Sequence, residues 1–126
     1  MKDQRPVNLD LKTFKFPITS ISSILHRVSG FIIFVLIPIA LFALGRSVES
    51  IQGYASITAW GDNWLFRFII ASLVAAMFYH VVAGVRHLVM DWGYWETLET
   101  GQTSARVTLV LGIGGAAILF LMTLFG

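Results

Sequence analysis

The 126-residue chain contains no cysteine. Disulfides, thiol nucleophiles and cysteine-ligated iron–sulfur clusters are therefore excluded from it. Charge is scarce as well. Asp, Glu, Lys and Arg make up 13% of the residues, against about 25% in ordinary soluble domains. The basic residues are dispersed along the chain and form no groove-reading pattern, which argues against a nucleic-acid partner. No flavin-binding fingerprint is present, and no internal repeat or low-complexity tract.

What is present is apolar surface. The chain is 56% hydrophobic with a mean hydropathy of +0.77. Charged residues cut it into three uncharged runs: Val28–Gly45 with 18 residues, Phe68–Val85 with 18, and Val107–Gly126 with 20. At 1.5 Å per helical residue each covers about 27–30 Å, the thickness of a bilayer's hydrocarbon core. The expected fold is an all-α membrane protein. A single domain over 1–126 has three transmembrane helices, at about 20–44, 64–90 and 105–125, after an arm at 1–19. Thr19 or Ser20, after Pro17, is the expected N-cap of the first helix, and Pro38 predicts a kink. Residues 46–63 and 91–105 read as loops. Trp60, Trp64, Trp92, Tyr94 and Trp95 sit in these loops or at their edges, at belt positions. Lys2, Arg5, Lys12, Lys15 and Arg27 all precede or begin the first span, so the positive-inside rule places the N-terminus in the cytoplasm. The apolar run starts only near residue 28 and is longer than a signal h-region. The first helix reads as a retained anchor.

His80 lies inside the second apolar run, where an ionisable group is costly and marks function by default. On a helical wheel Ser72, Ala76, His80, Gly84 and His87 fall near one face, continued by Asp91. Small residues around an imidazole leave room for a flat ligand such as haem. The competing reading is a histidine bonded to a neighbouring helix. On the first helix, Ser23, Arg27 and Gly30 share a face, with His26 beside them. A hydroxyl, a guanidinium and a titratable group suit a quinone, which has two carbonyl acceptors and takes up two protons on reduction. Taken alone, Arg27 reads more readily as a snorkelling interfacial anchor. Arg86, His87 and Asp91 form a third cluster on the same membrane side. His87 and Asp91 are spaced for a carboxylate to orient the imidazole. Arg86 and His26 could face haem propionates, or the cluster could contact another subunit. The third helix carries a small-residue patch, Gly112, Gly115 and Ala116, suited to close packing.

Together, Arg5-Pro6, the string Ser23-Ile24-Leu25-His26-Arg27-Val28-Ser29-Gly30, and His80-x-x-x-Gly84-x-Arg86-His87-x-x-x-Asp91 resemble the succinate dehydrogenase cytochrome b556 membrane-anchor family, most closely its bacterial form. The resemblance implies that His80 is an axial ligand of haem b iron. It implies that Ser23 and Arg27 belong to the ubiquinone site, and that His26 and Arg27 lie near the haem propionates. It implies a second small anchor subunit, an iron–sulfur subunit and a flavoprotein as partners in an inner-membrane complex. That complex would link the tricarboxylic acid cycle to aerobic respiration. A six-coordinate haem needs two axial ligands, and His87 lies about 10 Å further along the helix than His80. No other histidine is expected at the depth of His80, so the second ligand is expected from the partner anchor. The alternatives are a fumarate reductase anchor, or a non-redox transporter or scaffold.

Overall fold

The computed structural model describes residues 15–126. The Arg5-Pro6 pair and most of the basic arm lie outside the described residues. Four helices follow in order: α1 Ile18–Glu49, α2 Ile51–Trp60, α3 Trp64–Asp91 and α4 Leu98–Phe125. α1, α3 and α4 have 32, 28 and 28 residues and are apolar enough to cross a membrane. The described chain is all-helical, and such helices satisfy their own backbone polar groups, as a lipid environment requires.

The boundaries differ from expectation in three places. α1 starts at Ile18 behind Pro17, with no side-chain cap. Thr19 and Ser20 therefore lie in its first turn, and Pro17, with φ −58° and ψ 147°, takes the cap position without a side chain that could accept from the first amides. α1 continues through Pro38 to Glu49, and the expected loop after it holds α2. Ser50 caps α2 by accepting from Gly53 N at 2.9 Å. Gly53 reads in sequence as a breaker, yet it is needed for space, since a Cβ there would collide with the Arg46 carbonyl. Finally, α4 begins at Leu98, capped by Thr97, which accepts from Thr100 N. The loop before it is only Trp92–Thr97. Gly93 turns it with φ +90°, a conformation cheap only for glycine.

α3 is the central helix and packs on both α1 and α4. Its contact with α4 uses the small-residue patch. A Cβ at Gly112 would lie 2.7 Å from the Tyr79 ring, and one at Gly115 would collide with Phe78. Arginines clip the two helices at opposite ends. Arg67 donates to the Leu124 carbonyl at 3.3 Å, where the negative end of the α4 dipole favours a cation. Arg86, 3% exposed, donates to Ser104 Oγ at 3.1 Å and to the Gly101 carbonyl at 3.2 Å. Much of the outer surface is apolar, including Phe31, Phe34, Leu41 and Val81.

Substituting Gly112→Val should force α3 and α4 apart. A loss of about 1–3 kcal/mol, the usual cost of overpacking, is expected as a lower thermal-denaturation midpoint of the purified protein. An unchanged midpoint would show that the seam can relax around Tyr79.

Candidate functional site: a reciprocal histidine–glycine contact

The site is built from one four-residue spacing used twice. α1 carries His26 and Gly30, and α3 carries His80 and Gly84. The helices run antiparallel at the contact, so each histidine lies over the other helix's glycine. A Cβ at Gly30 would be 3.1 Å from His80 Cε1, and one at Gly84 would be 3.5 Å from His26 Nε2. The two rings consequently stack, with centroids 4.0 Å apart and planes 16° from parallel. His87 joins them, its ring 4.9 Å from that of His26 and tilted by 47°.

This corrects the expectation that His80 stands alone at its depth. Counting residues along one helix separates the histidines. Antiparallel packing of two His-x-x-x-Gly turns brings them together.

Three hydrogen bonds form a triangle that ties His80 to α1 through Ser29 and the His26 carbonyl. Ser29 Oγ donates to the His26 carbonyl at 2.7 Å. His80 Nδ1 lies 3.1 Å from the same carbonyl and 3.0 Å from Ser29 Oγ. A carbonyl oxygen can only accept, so Nδ1 carries the proton. In the neutral imidazole this leaves Nε2 with the lone pair, and Nε2 has no hydrogen-bond partner among the described residues. The tautomer of His80 is thereby set by α1.

Ser23 and Arg27 share a separate cleft of about 520 Å³, walled also by Phe16, Pro17, Thr19, Ser20 and Ile24. Both lie on α1, one turn apart, so their convergence follows directly from helical spacing.

The remaining expected members are not brought in. Arg86 turns away from the histidines to α4, where Gly101 O and Ser104 Oγ hold it. Its wheel position near His87 says nothing about where a long side chain reaches. Asp91, at the exposed end of α3, forms no ion pair with His87; among the described residues the ion pair found is Arg46–Glu49. The small-residue column divides. Ser72 and Ala76 line an apolar groove of about 690 Å³ with Leu25, Ile113 and Phe120, while Gly84 faces His26. Sequence reasoning gave Ser29 and Tyr79 no role. Tyr79 is 5% exposed, packs on Gly112 and donates to the Ser22 carbonyl at 3.1 Å, so it knits the three long helices together. The repeated His-x-x-x-Gly spacing was the available signal for the reciprocal contact.

Three long apolar helices with a polar, histidine-rich seam define a multi-pass membrane protein of the helical anchor class. The chain belongs to the succinate dehydrogenase/fumarate reductase transmembrane subunit family, whose model matches residues 1–125. It is 36% identical over 113 residues to the succinate dehydrogenase cytochrome b556 subunit of Coxiella burnetii (strain RSA 493 / Nine Mile phase I), covering 88% of this chain and 90% of that protein. It is 28% identical over 123 residues to the protein of the same name from Paracoccus denitrificans, covering 98% and 92%. The cytochrome b560 subunit of Marchantia polymorpha is 32% identical over 114 residues, covering 86% and 83%.

The two glycines should not be equivalent. Gly30→Ala places a methyl group against His80 at a distance that requires one of them to shift, whereas Gly84→Ala reaches ordinary contact. Gly30→Ala is expected to cost about 1–3 kcal/mol and Gly84→Ala clearly less, read as denaturation midpoints. Equal losses would refute the asymmetry.

Proposed function

We propose that this chain is the cytochrome b anchor of succinate dehydrogenase. On this reading it holds haem b jointly with a second small anchor subunit and forms part of the site where ubiquinone is reduced. The observation that carries the reading is the state of His80. Its Nδ1 is bonded to α1 and its Nε2 is free, which is how a neutral imidazole must be presented to ligate iron. The residues present therefore fit the group. Haem b would supply one-electron storage within the membrane. The relatives' names, cytochrome b556 and b560, support the same cofactor.

His80 would hold the haem together with a histidine of the partner anchor, because His26 is already stacked face to face on the His80 ring, with the planes nearly parallel. His26, His87 and Asp91 are the remaining candidates for facing propionates or passing protons, Asp91 from the exposed end of α3. Arg86 is committed to α4 and is withdrawn from that role.

Ser23 and Arg27 are proposed to donate to quinone carbonyl oxygens in their cleft. The cleft opens on the outer face of α1, so another subunit would complete it. Electrons must be delivered by partners, because this chain has no cysteine with which to hold an iron–sulfur cluster and no flavin-binding fingerprint. The basic residues before the first span support an N-terminus on the cytoplasmic side of a bacterial inner membrane. The relatives compared above carry succinate dehydrogenase names, which favours succinate oxidation over the reverse reaction.

His80→Ala in the purified complex is expected to abolish the low-spin spectrum of a haem with two imidazole ligands. Retention of that spectrum would remove His80 as a ligand. Arg27→Ala is expected to lower quinone reduction by about tenfold or more, from the loss of a charged hydrogen bond of roughly 1.5–3 kcal/mol. Succinate oxidation by an artificial acceptor should persist. Equal loss in both assays would assign Arg27 to assembly.

A further inference from the structure

Ser29 is 5% exposed and sits at the centre of the α1–α3 seam. Its bond to the His26 carbonyl is by itself routine. Ser47, Ser56 and Ser104 make the same bond to the carbonyl three residues earlier. What differs is the second contact of its oxygen, 3.0 Å from Nδ1 of a histidine 51 residues away. A hydroxyl has one proton, and that proton is directed to the His26 carbonyl at 2.7 Å. Towards His80 the Ser29 oxygen can therefore only accept. Nδ1–H is shared between two acceptors, the Ser29 oxygen and the His26 carbonyl, and these are themselves hydrogen-bonded to each other.

We propose that Ser29 is a positioning residue that sets the electron-donating strength of His80 towards the haem iron. The proposal rests on the haem reading given above. A second acceptor on Nδ1–H draws the imidazole towards imidazolate character and makes Nε2 more basic. A more basic ligand stabilises the oxidised iron, so hydrogen bonding to the ligand is one of the protein's levers on haem potential. The triangle also restrains rotation of the ring, because acceptors on α1 hold Nδ1 from two directions. A serine whose hydroxyl served only its own helix would leave the haem unaffected when removed.

The test uses the complete complex, purified with its partner subunits. Ser29→Ala is expected to retain haem at the wild-type ratio and to remain low-spin. Its haem reduction potential should move upward and its low-spin electron paramagnetic resonance signal should shift. Ser29→Thr, which keeps the hydroxyl, should restore both. If Ser29→Ala does not assemble, the nearly isosteric pair Ser29→Thr and Ser29→Val isolates the hydroxyl, and only the valine variant should shift. An unchanged potential and spectrum in Ser29→Ala, or equal shifts in the Thr and Val variants, would overturn the role. A wild-type complex without haem would instead overturn the reading beneath it.

Discussion

The structure depends on how closely α1 and α3 can approach. Lipid offers no hydrophobic drive to pair two apolar helices, so association rests on packing, small residues and interhelical hydrogen bonds. Here Gly30 and Gly84 give up their side chains to admit His80 and His26. The space is filled at once by stacked imidazoles and closed by bonds from His80 to the α1 backbone and Ser29. Packing and polarity are thus met by the same residues. The otherwise costly histidine is anchored through Nδ1, while Nε2 has no hydrogen-bond partner among the described residues.

The other long helix acts as a brace. α4 receives Phe78 and Tyr79 of α3 on its glycines and is clipped by Arg67 and Arg86 at its two ends. A guanidinium as buried as that of Arg86 is expensive in an apolar setting. Its use on a helix-terminal carbonyl and a hydroxyl gives it a structural office. This division leaves the opposite side of α3 to the histidines. Ser23 and Arg27 sit on α1 facing a cleft of their own. In the proposed function, two polar regions on one helix would then serve two redox molecules without competing for the same side chains.

The spans, their number and their order were legible in the residues, because long uncharged runs leave few other solutions. The Ser23–Arg27 pairing was legible too, since both lie on one helix and 3.6-residue geometry governs them. α2 was not, because Gly53 looks like a breaker until the Arg46 carbonyl beside it is seen. Arg86 and Asp91 were grouped with His87 by proximity in sequence. The first reaches α4 instead, and the second ends exposed at the helix terminus.

The sequence by itself determined that the chain has three runs long and apolar enough to cross a membrane, that it holds no cysteine-ligated cluster, and that His80 is the residue to explain. The tertiary structure alone decided that His26, His80 and His87 form one cluster, that Ser29 and a backbone carbonyl set the His80 tautomer, and that Arg86 is a clip. The reason is geometric. Helical periodicity fixes positions within one helix. It leaves free the rotation and register between helices, which here are set by close approach at two glycines.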